Sequence, residues 1–335
     1  MSNKTITIMI VARNEELNLS YLLNDIMNQT YSHNLIDIIL VDSMSEDNTR
    51  KIMENYQTIS DFNSVLILEN SEKILAAGWN LAIQNSKTDL VVRIDAHASI
   101  PKDFIEKNIK VIEKGERASG GSRPNILAPK DENRWQKLLL EAEASIFGSS
   151  IAPYRNSKES KYVKSIFHGV YERSIFSEIG LLNTKLGRTE DNDIHYRMRK
   201  AGVKLSYNPE IISFQYVRSS LRKMIKQKYS NGYWIGLTMA VQPKCFSFYH
   251  FIPLFFLLSL IFSGLVFTCF PWLLVIILGL YISLLSVITL KITITNKRII
   301  YLMLPFIIFL LHISYGMGTL HGLMLLPFKI KKLKQ

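Results

Sequence analysis

The sequence predicts an α/β domain built on a mostly parallel sheet, followed by an α-helical transmembrane domain. Two observations carry this. Over roughly the first hundred residues, short β-branched runs alternate with stretches of helical periodicity. After residue 245 charges almost vanish, and two apolar segments of about 20 residues follow one another.

The run TITIMIVA (5–12) is apolar and β-branched, which predicts a first strand. In NEELNLSYLLNDIMNQ, residues Leu17, Leu19, Leu22, Leu23, Ile26 and Met27 fall on one helical face. LIDIILVDSMS (35–45) predicts a second strand, and Ser45 is placed to cap the helix that follows. SVLILEN (64–70) is a third strand, AAGWNLAIQNS opens a helix, and TDLVVRIDAH (88–97) is a fourth strand. Strands alternating with helices in this way build a doubly wound sheet, whose ligands sit beyond the C-terminal strand ends. The candidate site residues are therefore Arg13, Asn14 and Glu15 after the first strand, Asp42 and Ser43 after the second, and Asp95 and His97 at the fourth.

The segments 251–270 and 271–290 carry no charge and join at Pro271, which predicts a tight helical hairpin across a bilayer. A third apolar stretch spans 299–328, followed by a basic tail over 329–335. The bias of lysine and arginine places the first domain and the 291–298 loop in the cytoplasm. The third stretch either crosses once or is broken at Pro305, Gly316, Gly318, Gly322 or Pro327 and turns back. Domains are thus expected at 1–235 and 247–328, with an amphipathic interfacial segment at about 216–246 that is basic and aromatic.

A net charge of +12 points to an anionic partner. Basic residues do not form a run interleaved with aromatics in the N-terminal part, which argues against nucleic acid. Two cysteines give neither a disulfide framework nor a zinc site. The N-terminus is too short in apolar residues for a signal peptide. VARNEE lacks the paired glycines of a dinucleotide fingerprint, which argues against an oxidoreductase. Phosphates then need another source of positive charge, and a cation at Asp95 and His97 supplies it.

The pieces TIMIVARNEE, VDSMSEDNT, AAGWNLAI, RIDAHASIPKDF and TEDNDIHYRMRKAG occur in the order and spacing of the family 2 glycosyltransferases, and together the chain resembles that family over about residues 4–235. RIDAH, FHGVYERSIFSEIGLLN and VRSSLRKMIKQKYSNGYW look like its membrane-attached branch, which includes enzymes of succinoglycan and other bacterial exopolysaccharides. The resemblance implies a GT-A fold and a nucleotide-diphosphate sugar as donor. It implies that Glu15 and Asp42 hold the base and ribose, with Asn14 in the same turn and Gly78 and Asn80 on the nucleotide side. Asp95 and His97 match the ends of the metal-binding DxD motif, and Asp191 matches the catalytic base.

The chemistry agrees with these residue types. A departing diphosphate is stabilised by a divalent cation and basic side chains, and the attacking hydroxyl loses its proton to a carboxylate. Asp95 is a hard ligand suited to magnesium or manganese, and an imidazole at His97 tilts the choice toward manganese. His97 either completes the metal shell or sits beside it. Arg93 alternates with Asp95 on the strand, facing the nucleotide or Asp95 itself. Crowding Glu190, Asp191 and Asp193 raises at least one of their pKa values, and Arg197, one turn on, is placed to hold a carboxylate. Donor choice is expected around Gly120–Arg123 and His168. His168, Glu190, Asp193, Gln227 and Trp234 fall on the acceptor side. QKYSNGYW departs from the QxxRW motif of processive synthases, which points to transfer of a single sugar.

The expected function is an inverting, metal-dependent transfer onto a polyprenyl-diphosphate-linked oligosaccharide at the membrane, in cell-surface polysaccharide assembly. Transfer onto polyprenyl phosphate, and a non-catalytic membrane partner that retains the fold, are the alternatives.

Overall fold

The computed structural model describes residues 4–129, 132–148 and 158–334. The chain divides into two compact units, one of residues 1–126 and 152–216, the other of residues 127–151 and 217–335. The first unit thus ends at Tyr216, where the sequence placed a boundary near 235, and the second gains a segment from within the expected catalytic region.

In chain order the first unit begins with β1 (Ile6–Ala12), α1 (Leu19–Met27), β2 (Ile36–Asp42), α2 (Thr49–Ile59), β3 (Ser64–Glu69), α3 (Leu75–Asn85) and β4 (Leu90–Arg93). The short β5 (Ala98–Ser99) leads to α4 (Phe104–Ile112), β6 (Ala118–Ser122) and β7 (Asn125–Ile126). After α5 (Arg134–Ala144), which belongs to the second unit, come β8 (Lys161–Tyr162), β9 (Val170–Glu172), α6 (Ser174–Ile179), α7 (Glu190–Lys200), β10 (Ser206–Ile212) and β11 (Phe214–Tyr216).

The main sheet runs β3-β2-β1-β4-β9-β6-β10-β8. β1 pairs in parallel with β2 and β4, and β9 runs antiparallel to both β4 and β6. Its central strands are apolar on both faces. Ile6, Ile8 and Ile10 pack into one core with Leu22, Met53 and Phe104, while Met9 and Val11 enter a second with Trp79, Ile175 and Ile194. Helices therefore cover both faces, as a parallel sheet requires.

Two local expectations are corrected. The fourth strand ends at Arg93 because its partner register with β1 ends there, at Met9. Asp95 to His97 instead form a turn, closed by the Ala98 N–H donating to the Asp95 carbonyl at 3.0 Å, and the chain passes into a separate sheet, β5-β11-β7. Ser45 is not the helix cap. α2 starts at Thr49, whose N–H donates to the Asp47 carboxylate at 3.0 Å, and the Ser45 hydroxyl serves the loop after β1.

In the second unit α5 packs Leu138, Leu139 and Ala142 against Met224 of α8 (Leu221–Thr238). Among the described residues, three segments are long and apolar enough to cross a membrane: Phe248–Leu265, Pro271–Asn296 and Ile299–Lys331. They contain α9 (Ile252–Leu265), α10 (Pro271–Asn296) and most of α11 (Leu304–Lys334). After a 3-10 turn over Ile299–Met303, the third stretch runs from Leu304 as one continuous helix with Pro327 inside it, unbroken at the glycines. Its glycines serve packing. A Cβ on Gly318 would lie 2.0 Å from the Tyr229 carbonyl oxygen, and one on Gly322 would lie 2.2 Å from that of Tyr233. Gly232 and Gly236 of α8 answer with close approaches to α11, 2.1 Å to the Tyr315 carbonyl oxygen and 2.6 Å to that of Thr319 for an added Cβ. Small residues four apart on both helices let the two backbones touch.

Candidate active site

β1 lies between β2 and β4, so the chain order reverses direction across the sheet at β1 and β4. A crevice opens outside the strand ends at such a switch point. The turn after β1 is held to the turn after β2. Asn14 adopts a left-handed backbone, φ 56°, which asparagine tolerates better than most residues. Its N–H donates to the Ser45 hydroxyl at 3.0 Å, and its side-chain oxygen accepts from the Glu46 N–H at 2.9 Å. Asp42 is buried and accepts from the Ser45 N–H at 3.2 Å. Met44 and His168 also take positive φ, 60° and 47°. Strained backbone gathered at one end of a sheet is a mark of functional loops.

Past β4, the two guanidinium nitrogens of Arg93 grip the two carboxylate oxygens of Asp191 in the first turn of α7, the Nη2–Oδ2 bond being 3.0 Å. The same guanidinium lies 3.9 Å from Glu190 and sits 4.9 Å from the centre of the fully buried Trp79 ring. Glu190 is buried, and among the described residues its Oε2 has no hydrogen-bond partner. Burial first, and the charge of Asp191 second, push its carboxyl above the usual carboxylate range.

Asp95 faces His168, with Oδ2 3.5 Å from Nε2, while His168 Nδ1 meets the Ser213 hydroxyl at 2.9 Å. Burial raises the Asp95 carboxyl, but His168, Arg93 and His97 outweigh it and hold it well below its ordinary value. Burial lowers the His168 imidazole in spite of Asp95. His97 places Nδ1 3.3 Å from Glu15 Oε1 and Nε2 3.1 Å from the Gln215 amide nitrogen. The Gln215 carbonyl oxygen accepts from Arg123, whose guanidinium stacks on Phe167 with 3.7 Å from Cζ to the ring centre.

Other expected residues have different surroundings. Gly78 lies against β1, where an added Cβ would meet Val11 Cγ1 at 2.6 Å. Asn80 spends its amide on the backbone of Leu182, donating to the carbonyl at 2.8 Å and accepting the N–H at 2.9 Å. Asp193 is buried and held by Arg197 at 2.9 Å, and Arg197 also donates to the carbonyls of Ile179 and Leu181. Gln227 and Trp234 are half-buried on α8 in the second unit. Sequence reasoning did not single out Trp79, Gln215 or His195. His195 is buried between Ser165 and the Tyr171 hydroxyl, and burial lowers its pKa to about 4. The only sequence signal for Gln215 was a polar residue in an otherwise apolar short strand.

Among the described residues, no three His, Cys, Asp or Glu side chains gather to cage a metal. Asp95 and His97 nevertheless share one turn beside the switch point, one offering a hard carboxylate and the other an imidazole. As donor types the pair would suit a divalent cation.

The chain belongs to glycosyl transferase family 2, whose model matches residues 7–180. It is 28% identical over 322 residues to a dolichyl N-acetyl-α-D-glucosaminyl phosphate 3-β-D-2,3-diacetamido-2,3-dideoxy-β-D-glucuronosyltransferase of Methanococcus voltae, covering 93% of this chain and 95% of that one. It is 24% identical over 199 residues to the succinoglycan biosynthesis protein ExoA of Rhizobium meliloti (strain 1021), 58% of each chain. The mannosyltransferase PcManGT from Pyrobaculum calidifontis, solved with GDP-Man and Mn2+, shares the fold with a TM-score of 0.59 at 15% identity, over 96% of this chain and 88% of that one. The protein is thus a glycosyltransferase with a GT-A domain followed by helices that include three candidate membrane spans, which sets aside the reading of a non-catalytic partner.

Proposed function

We propose that this glycosyltransferase moves one sugar from a nucleotide-diphosphate sugar to a lipid-linked oligosaccharide on polyprenyl diphosphate, with inversion, at the cytoplasmic face of the membrane. The observation that carries the reading is the fork of Arg93 on Asp191, next to Asp95 at the switch point. Asn14, Glu15 and Asp42 hold the nucleotide at the ends of β1 and β2. Asp95 and His97 would hold a divalent cation, which when bound would supply positive charge for the departing diphosphate.

Asp191 takes the proton of the acceptor hydroxyl as its oxygen attacks the anomeric carbon. The bond from that carbon to the diphosphate oxygen breaks, and attack from the opposite side inverts the centre. Arg93 fixes both carboxylate oxygens, so that Asp191 does not rotate away from the hydroxyl. Glu190 keeps its proton to higher pH than an ordinary carboxylate, which separates the roles of the two neighbouring acids.

The candidate spans and the basic residues Arg222, Lys223 and Lys226 on α8 support an acceptor held at a lipid surface. The name of the Methanococcus relative puts its acceptor sugar on dolichyl phosphate. This supports a saccharide, rather than a bare lipid phosphate, as the group extended. The test uses the full chain in nanodiscs, a set of nucleotide sugars, and two lipid acceptors: a polyprenyl-diphosphate-linked saccharide and bare polyprenyl phosphate. Manganese-dependent product only on the glycosylated lipid supports the reading. Product on the bare phosphate contradicts it.

A further inference from the structure

The proton on His97 can be located from its neighbours. Arg123 donates to the Gln215 carbonyl oxygen, so the other end of that amide, an N–H donor, is the end facing His97. The Nε2 atom it faces at 3.1 Å must therefore be the lone-pair nitrogen. The imidazole proton sits on Nδ1, which lies 3.3 Å from Glu15 Oε1. Glu15 is itself steadied by the Asn18 amide, which donates to its other oxygen at 3.1 Å. A carboxylate behind one imidazole nitrogen, with the opposite nitrogen presenting its lone pair, is the arrangement that orients metal-ligating histidines.

We infer that Glu15 is a positioning residue for His97: it fixes the tautomer that presents Nε2, the nitrogen the Gln215 amide faces at 3.1 Å, as the donor to a cation. This deepens the proposed function, since it rests on a cation at Asp95 and His97. It gives Glu15 a task apart from the nucleotide contact that its place after β1 suggests. It also couples the two halves of the site, because the loop that meets the nucleotide sets the orientation of a metal ligand.

The experiment is manganese titration of the full chain in detergent, followed by the electron paramagnetic resonance of free manganese, alone and with UDP or GDP. Glu15→Gln keeps the size of the side chain but weakens the hold on the Nδ1 proton. Manganese affinity is expected to fall about 10- to 100-fold, and nitrogen modulation in the spin echo of the bound ion should diminish. His97→Asn should abolish that modulation, and adding Glu15→Gln to it should cost little more. Unchanged manganese affinity in Glu15→Gln, or losses that simply add in the double variant, overturn the inference while leaving the cation site standing. Absence of manganese binding by the unaltered chain in every nucleotide mixture overturns the cation site and the inference with it. Thermal melting of each variant without metal confirms folding.

Discussion

Arg93 and Asp191, 98 positions apart, meet as a two-pronged pair, guanidinium fork on carboxylate. Lysine keeps the charge but loses the fork. Arg93→Lys should lower kcat/KM by about 100-fold or more, within the range expected when a general base is mispositioned. Arg93→Met strands a carboxylate pair at a mostly buried site, where the Arg93 side chain is 16% exposed. Loss of one partner from such a pair costs about 3–5 kcal/mol. Thermal or denaturant unfolding of the two variants separates the effects, since Arg93→Lys should lose activity with much less loss of stability.

Glu190 gives a pH signature. Its carboxyl is raised by burial and by the charge of Asp191. The folded protein therefore binds that proton more tightly than the unfolded chain does. Raising pH from about 4.5 toward neutrality removes stability through this group, because the unfolded state sheds its proton first. Glu190→Gln has no such proton. Its stability relative to the unaltered protein should rise over that window and level off above it. A stability difference independent of pH means that Glu190 titrates normally.

Gly78 was expected near the nucleotide, and its packing against Val11 predicts a different phenotype. The Val11 side chain is branched at Cβ and has little freedom to move away. Gly78→Ala should destabilise by about 1–3 kcal/mol through overpacking. The KM for the donor should stay within about twofold, as measured by initial rates below the melting transition.

The close pairing of α8 with α11 predicts sensitivity far from the chemistry. Gly318→Leu places a side chain where the Tyr229 carbonyl lies, and the Cβ alone would stand 2.0 Å from it. The two helices must separate. Detergent-solubilised protein should melt at lower temperature and show faster proteolysis between 217 and 334. Gly279→Leu, where a Cβ meets nothing within 4 Å, is the control expected to melt normally.

Much of the fold was legible because strands β1 to β4 announce themselves by β-branched runs, and Asp42 and Asp95 fall where those runs stop. The apolar tail was legible from the loss of charge. Less visible was the end of β4 at Arg93, since the apolar pattern continues through Ile94 while the partner strand does not. The placement of α5 with the second unit was hidden as well, because Leu138 and Leu139 look like any buried helix face. In the site, Asp191 was singled out through its motif, but its pairing with Arg93 depends on a contact between distant segments. Asn80 sits in a matching motif, yet its amide is committed to Leu182. The partners of His97 were out of reach for the same reason: Gln215 is 118 positions away.

The central claim is that Asp191 removes the acceptor proton while other residues hold the donor. Single-turnover transfer by Asp191→Asn, together with nucleotide-sugar binding by calorimetry on the same preparation, tests it most directly. The account predicts a loss of about 10²- to 10⁴-fold in the transfer rate, with donor affinity changed little. Transfer at the normal rate contradicts it, and so does a slow rate explained entirely by lost donor binding.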